Sequence, residues 1–254
     1  MFPESRSLLR PARRTTRRKV ARVESGEKLG VRLCLLDGFE LMSNGDRPEV
    51  PLGVQRLVVF VALHERPLLR GYVAGSLWLD STEERAAANL RSTLWRIHRI
   101  EPRLIDASGR TLRLGAEVSV DMRRTEAMAH ALLRGDPDVT LDVASLGRDL
   151  LPDWYEDWVL FERERFRSLR LRALEAWCER LTGEGRLDEA LEVGLLSVAG
   201  EPLRESAHRA VMRVYLADGN PSEAIRQYRL CEHILGEQLG IRPSAQMDEL
   251  LPLS

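Results

Sequence analysis

The chain has 254 residues, and 44% of them are hydrophobic, which is enough for two modest domains with their own cores. Its three cysteines, Cys34, Cys178 and Cys231, are far apart and odd in number, which makes a poor disulfide framework and gives no zinc-site spacing. The sequence shows neither an apolar run near the ~18 residues of a membrane helix nor a secretory signal, so a cytoplasmic protein is expected.

The formal net charge is only -1, but the charge is unevenly distributed along the chain. Residues 1–30 contain nine basic and three acidic residues, residues 31–139 contain fifteen of each, and residues 140–254 contain fourteen basic and twenty-one acidic residues. This distribution predicts that only the front of the chain meets an anionic partner. Residues 1–28, with little apolar content, are predicted to be a basic, disordered tail.

A small sheet is predicted after the tail. Alternating apolar residues at Val31, Leu33 and Leu35 predict a strand, and a second short strand runs from Phe39 to Met42 after a turn. A third strand is expected to end near Leu52. We therefore predict a small antiparallel sheet at the start of the folded chain.

Three helices and a hairpin follow in the predicted order. Helical periodicity covers residues 54–64 and 70–78, and a longer helix begins after Ser81, whose spacing to Glu84 is that of a capping box. That helix runs to about Arg99. Residues 104–106 and 111–114, separated by a turn, predict a β-hairpin.

The remainder of the chain is predicted to be helical only. Gly115 to Val120 is the natural joint between two domains, at 29–117 and 118–254. The fold class is therefore mainly α with a small α+β part, in the form of a winged helix-turn-helix followed by an all-α, tetratricopeptide-like repeat domain. Helices are expected at 121–134, 154–183, 187–199, 203–217, 221–237 and 244–251.

The third helix carries the candidate binding residues. At 100° per residue, Ala87, Leu90, Leu94 and Ile97 share one side and should pack inward. The opposite side and its flanks are polar, and arginine and asparagine are the side chains that bond guanine and adenine in the major groove. The start of the helix, near Ser81 to Arg85, can also approach phosphate. The predicted DNA-binding residues are Arg85, Asn89, Arg91, Ser92, Arg96 and Arg99, with Arg110 at the hairpin tip.

A polar helix side is by itself more often a solvated surface than a binding site. The ordered set of sheet, three helices and hairpin favours DNA binding, since each part has a place in a winged helix-turn-helix. Glu83 and Glu84 would repel phosphate, and they are assigned to capping and to the helix dipole.

Two resemblances to known families add to this interpretation. Residues 31–115 resemble the response-regulator-type winged-helix domain of the Streptomyces antibiotic regulatory protein (SARP) family, in VPLGVQRLVVFVALH at 50–64, LRGYVAGSLW at 69–78 and EERAAANLRSTLWRI at 83–97. The remainder resembles that family's bacterial transcriptional activation domain, in LLPDWYEDWVLFERERFRSLRLRALEAW at 150–177, EPLRESAHRAVMRVYLADGNPSEAIRQYR at 201–229 and LGEQLGIRPS at 235–244.

The resemblance implies a regulator that binds double-stranded promoter DNA, often as two copies on direct repeats, and that contacts RNA polymerase. It also implies that the matched helix, with Arg85, Asn89, Ser92, Arg96 and Arg99, faces the DNA. Family targets are often gene clusters for secondary metabolites. The hairpin departs from many relatives, which have a Gly-Tyr where this chain has Arg110-Thr111-Leu112.

The helical half contains an internal repeat. Gly185, Glu189, Ala190 and Leu191 recur as Gly219, Glu223, Ala224 and Ile225, at a spacing that matches the tetratricopeptide period of about 34 residues. Such repeats bind peptides or mediate dimers, and pure packing is the alternative. The aromatic residues Trp154, Tyr155, Trp158 and Trp177 are expected to pack in the core or between domains.

The sequence lacks the motifs of several other classes. It has no phosphate-binding Gly-Lys-Ser/Thr motif, no GxSxG and no HExxH, and its histidines show no ligand spacing with cysteines. We therefore expect no cofactor, no metal, no membrane contact and no enzyme activity. The alternative to a DNA-binding activator is a tetratricopeptide-like interaction adaptor whose winged domain no longer binds DNA specifically.

Overall fold

The structure, a computed structural model, describes residues 30–251; the predicted basic tail lies outside the described residues. The described chain is mainly helical with a small sheet part, as predicted. Its first half contains β1 (Val31–Cys34), β2 (Glu40–Ser43), α1 (Leu52–Ala62), β3 (Leu68–Leu69), α2 (Arg70–Leu77), α3 (Glu83–Ile100), β4 (Ile105–Asp106), β5 (Thr111–Leu114) and β6 (Val118–Val120). Its second half contains α4 (Asp121–Leu133), α5 (Val143–Leu146), α6 (Asp157–Gly183), α7 (Leu187–Gly200), α8 (Glu205–Ala217), α9 (Pro221–Leu239) and α10 (Ala245–Asp248).

The first sheet has the order β2-β1-β6, and its third strand is not the predicted one. The strand expected to end near Leu52 is wrong, because Pro48 and Pro51 lack the N–H that a ladder requires and α1 begins at Leu52. Strand β6 takes its place and runs parallel to β1, with Leu33 opposite Val120. The chain between these paired strands holds α1, α2, α3 and the hairpin.

The second sheet is the predicted hairpin with one additional strand. Strand β4 pairs antiparallel with β5, and β5 also pairs with β3, where Leu68 lies opposite Leu112. Gly109 has a φ of +57° in the turn between β4 and β5, a conformation that suits glycine. The hairpin is thereby fixed against the segment that leads directly into α2.

Helix α1 lies at the centre of the first half. Its residues from Leu57 to Ala62 are all buried, because the helix contacts α2, α3 and β5. At its end, the Arg123 guanidinium donates to the Ala62 oxygen at 3.0 Å and to the His64 oxygen at 2.7 Å. A cation from α4 thus satisfies carbonyls that the helix leaves without partners.

The predicted joint at Gly115 to Val120 is a packed part of the fold. A Cβ on Gly115 would lie 1.8 Å from the Arg103 carbonyl oxygen, so only glycine fits there. Three residues later β6 enters the first sheet, and α4 follows at once. The hydrophobic core continues across this point from Leu33 to Leu150 and Phe166.

Asp121 fastens the start of α4 to the first sheet. Its Oδ1 accepts the backbone N–H of Leu35 at 2.8 Å and that of Met122 at 2.7 Å, and its Oδ2 accepts that of Leu36 at 3.2 Å. Leu36 also bridges to Leu150 in the segment before α6. One carboxylate therefore links the end of the first strand to a helix that begins much later in the chain.

The long helices of the second half pack on their neighbours in sequence. Helix α6 contacts α7, α7 contacts α8, α8 contacts α9, and α6 also contacts α8. Gly185 and Gly219, which are equivalent in the internal repeat, have φ values of +75° and +73° just after α6 and α8. Ala190 and Ala224 are fully buried at equivalent places in the helices that follow. The repeat seen in the sequence therefore corresponds to two like turns and two close helix contacts.

None of the helices within residues 30–251 is long and apolar enough to cross a membrane.

Candidate nucleic-acid interface

Helix α3 packs against α1 and α2 through a side that differs from the predicted one. Ala86, Leu90, Thr93 and Ile97 are its buried residues, whereas the predicted Ala87 and Leu94 are only half-buried at the edge. Thr93 can be buried because its hydroxyl donates to the Asn89 carbonyl at 2.8 Å. The helix is therefore rotated by about 50° relative to the prediction, as judged from 100° per residue.

All six candidate residues on α3 are exposed to solvent. Within residues 30–251, no side chain bonds to the guanidinium groups of Arg85, Arg91 or Arg96. These cations differ from most arginines of the second half, such as Arg186 and Arg204, which form ion pairs with carboxylates. The outward side of α3 thus offers positive charge that no described part of the protein neutralises.

Because of this rotation, an aromatic residue lies near the centre of the outward side of α3. This residue was not predicted from the sequence as part of the site. Trp95 has 60% of its surface exposed, and it lies about 170° around the helix from the middle of the buried residues. The Arg99 guanidinium lies over its ring, 5.0 Å from the centroid. Asn89 lies nearer the edge of the buried side. Counting helical positions from the buried residues would have found Trp95, but the buried side itself came from the fold.

The start of α3 is capped by a different residue than predicted. Thr82, and not Ser81, is the N-cap, and its side chain accepts the Arg85 N–H at 3.4 Å. Position three of the helix is then an arginine, so the reciprocal carboxylate bond of a capping box does not form. Glu83 and Glu84 are exposed in the first turn, where they suit the helix dipole. Positive charge is therefore concentrated in the middle and the end of α3.

The end of α3 is held by a buried carboxylate. Glu101 accepts the Arg103 Nε at 3.0 Å and also the Ser43 hydroxyl of β2. These bonds, chiefly the one from Arg103, lower the pKa of Glu101 to about 2, although burial opposes them. The carboxylate is charged and compensated, so the arrangement fixes the helix end without adding free negative charge to the surface.

The hairpin presents Arg110 at its tip. Arg110 is exposed, and no side chain in the described part of the chain pairs with it. In contrast, Arg113 forms an ion pair with Asp106 at 2.7 Å across the two strands. The hydrogen bond from the Ser108 hydroxyl, followed by that from Arg113, lowers the pKa of Asp106. The hairpin tip therefore carries one arginine that has no side-chain partner among residues 30–251.

A groove separates α2 from α3 on the side near the hairpin. Small residues, Ala74, Gly75 and Ala87, line it between the arginines Arg70 and Arg91. Nη2 of Arg70 donates to the Ala107 oxygen at 2.8 Å, which ties the turn of the hairpin to the start of α2. Glu83 of α3 also lines the groove, so Arg70 is the lining residue that adds positive charge beside that of α3.

The aromatic residues of the second half lie mostly where the sequence predicts. Trp177 is buried, and Trp158 packs edge-on against the Phe60 ring of α1 at 5.1 Å between centroids, with Trp154 beside it. The expectation for Tyr155 is wrong, since 78% of its surface is exposed. Trp154 and Trp158 therefore help to join the two halves. No set of His, Cys, Asp and Glu in residues 30–251 has the arrangement of a metal site.

Three comparisons relate the chain to known proteins. Residues 113–251 match the family described as bacterial transcriptional activator domain. The regulatory protein AfsR of Streptomyces griseus is 25% identical over 228 residues, which are 84% of this chain and 23% of that protein. The AfsR of Streptomyces coelicolor is 26% identical over 200 residues, 73% of this chain and 20% of that protein. The chain thus spans less than a quarter of the length of these curated relatives.

A solved structure has the same overall fold. It is Mycobacterium tuberculosis EmbR, in a complex with a low affinity phosphopeptide, and it is similar with a TM-score of 0.66 and 19% identity. The similarity covers 88% of this chain and 66% of the EmbR chain.

Proposed function

Because the chain belongs to the bacterial transcriptional activator domain family, as a transcriptional regulator of the SARP type, we propose that it binds promoter DNA sequence-specifically through α3. In this proposal residues 29–117 form a winged helix-turn-helix, α3 is the recognition helix in the major groove, and the β4–β5 hairpin is the wing. The protein would act in the cytoplasm without catalysing a reaction.

The observation that supports this proposal is the set of exposed arginines on α3 that have no partner in the described part of the chain. Arg85, Arg91 and Arg96 are exposed and have no partner among residues 30–251. Guanidinium groups that stay unpaired in the protein are free to bond guanine bidentately or to bind phosphate. The neighbouring Asn89 and Ser92 add groups that bond adenine and either base or phosphate.

The hairpin tip is proposed to hold the DNA backbone or the minor groove. Arg110 is exposed at the tip, and its guanidinium, which has no side-chain partner within residues 30–251, suits either contact. The ion pair between Arg113 and Asp106 links the two strands of the hairpin. A DNA contact by Arg110 would leave that ion pair intact.

The second half, residues 118–254, is proposed to serve in dimerisation on DNA or in contact with RNA polymerase. Residues 140–254 contain twenty-one acidic and fourteen basic residues, so this half would be repelled by DNA and is better suited to a protein partner. The recurrence of Gly185 at Gly219 supports a tetratricopeptide-like surface of the kind that binds proteins. The target operon, which family likeness associates with secondary metabolism, is part of the same proposal.

Replacement of Arg96 tests the DNA-binding role. We would select the tightest sites from a random duplex library with the full chain and measure the Kd of the parent and of R96A by fluorescence anisotropy. If Arg96 contacts a guanine, R96A should bind about 5- to 150-fold more weakly, corresponding to about 1–3 kcal/mol. The preference for guanine at one position should also relax.

Arg226→Ala is the matched control. Arg226 is exposed on α9 and pairs with Glu223 at 2.7 Å, far along the chain from α3, so R226A should bind like the parent. Equal affinity of R96A and the parent would contradict the role of Arg96. If no duplex is enriched even at low salt, the interaction adaptor becomes the better interpretation.

A further inference from the structure

The outward side of α3 holds a large apolar side chain that the arginine contacts do not explain. We propose that Trp95 contacts the C5 methyl group of a thymine in the major groove and thereby contributes to sequence specificity. The inference rests on the proposed function, since it requires α3 to lie in the groove.

The position of Trp95 follows from the buried side of its helix. Ala86, Leu90, Thr93 and Ile97 face α1 and α2, and at 100° per residue Trp95 points about 170° away from their middle. The indole is 60% exposed in consequence. A tryptophan in this position contributes nothing to the core, and its exposed ring gains apolar contact only when another molecule covers it.

The neighbours of Trp95 leave the indole as the most prominent apolar group of this side. Ala88 and Ser92, seven and three residues before it, are small and exposed, so the helix can approach a partner closely along that line. Arg91, Arg96 and Arg99 surround it with positive charge. Glu84, the nearest exposed carboxylate of α3 on the same side, lies eleven residues earlier, about 16 Å along the helix.

The positive charge of these arginines favours a polyanion as the molecule that covers Trp95, over a protein surface with few acidic residues. The major groove of DNA offers base edges that are polar except for one apolar group, the thymine methyl. An indole framed by guanidinium groups matches that pattern, because the arginines bond phosphate or guanine while the ring covers the methyl. The Arg99 guanidinium lies over the ring, 5.0 Å from its centroid, which is within the distance of a cation–π contact.

Replacement of thymine by deoxyuridine removes the methyl group and nothing else. With the full chain and a duplex selected from the random library, each thymine would be replaced in turn and the Kd measured. We expect at least one thymine whose replacement weakens parent binding about 3- to 5-fold, the effect of one buried methyl-sized group. The W95A variant should bind the two duplexes with equal affinity, so the two changes are not additive.

Two further variants test whether the deoxyuridine effect depends on the aromatic ring at position 95. W95F keeps an apolar ring without the indole N–H, so it should retain most of the deoxyuridine effect. Y155A removes an exposed aromatic residue outside α3 and should retain all of it. Because Trp95 is exposed, W95A should unfold at the same urea concentration as the parent.

The scan of the parent alone can overturn the inference, because it needs no variant. If no deoxyuridine substitution weakens binding, Trp95 does not contact a thymine methyl. A flat scan combined with weaker binding by W95F would indicate an indole N–H bond to phosphate instead. A flat scan with loss of self-association in W95A, measured by sedimentation, would assign the ring to a contact between copies. In each of these cases R96A still tests the proposed function separately.

Discussion

Asp121→Ala removes the carboxylate that joins α4 to the first sheet. Three backbone N–H groups, those of Leu35, Leu36 and Met122, lose their acceptor. Two of these groups belong to the segment after β1, far from Asp121 along the chain, so the variant weakens a tertiary contact as well as the start of a helix. We expect D121A to lower the stability of both halves together.

The magnitude follows from the number of bonds. At about 1 kcal/mol for each, the loss of three bonds lowers the free energy of unfolding by about 3 kcal/mol. Asp121→Asn keeps one oxygen, which can still accept the N–H groups of Leu35 and Met122. The new amide NH2 group would face the Leu36 N–H, and two donors cannot form a hydrogen bond. D121N should therefore lower the free energy of unfolding by about 1 to about 2 kcal/mol, the cost of one lost bond and one unsatisfied donor.

Urea denaturation followed by circular dichroism measures both variants. For a chain of this size, a loss of about 3 kcal/mol lowers the thermal midpoint by roughly 6–12 °C and shifts the urea midpoint to a visibly lower concentration. The control is Asp188→Ala, an exposed aspartate in the first turn of α7, which should change stability by no more than about 0.5 kcal/mol. A D121A variant as stable as D188A would refute the assigned role of the carboxylate.

Two further predictions concern pH and salt. His208 is buried, and its ring nitrogens lie 2.9 Å from the Pro202 oxygen and 2.8 Å from Gln227 Nε2. Burial lowers its pKa below 6.5, so the unfolded chain binds the proton more readily and stability should fall as pH drops from about 6.5 through the lowered pKa. Urea midpoints between pH 7.5 and 5.5 should fall less in H208Q than in the parent; equal slopes would contradict this assignment. For DNA binding, R110A should reduce the slope of log K against log salt by about 0.9 if Arg110 neutralises one phosphate, and an unchanged slope would exclude a phosphate contact.

Much of the fold could be predicted from local patterns in the sequence. The apolar spacing around Leu90 and Ile97 predicted α3 within a few residues, and the glycine at the turn between 106 and 111 agreed with the hairpin. The recurrence of Gly185 at Gly219 predicted two like helix ends, because a positive φ after a helix selects glycine wherever it occurs. The DNA-binding residues of α3 were predicted from the same periodicity, and they stay a prediction.

Other features depended on contacts between distant residues. The third strand of the first sheet is β6 and not the segment before Leu52, since pairing with Val31 requires the chain to return after three helices. The rotation of α3, which buries Thr93 and turns Trp95 outward, was decided by its packing against α1 and α2.

The sequence by itself therefore determined most of the helical segments and their approximate ends, but it missed the short helix α5 and placed the buried side of α3 about 50° from its position in the fold. The formation of a helix and its approximate ends depend on interactions between residues three or four positions apart, and these interactions are present in any local stretch of sequence. The tertiary structure alone decided the strand partner of β1, the hydrogen bonds from Leu35 and Leu36 to the Asp121 carboxylate, and the exposure of Trp95. Each of these depends on which surfaces meet when segments that are distant in the chain pack together, and no local spacing encodes that choice.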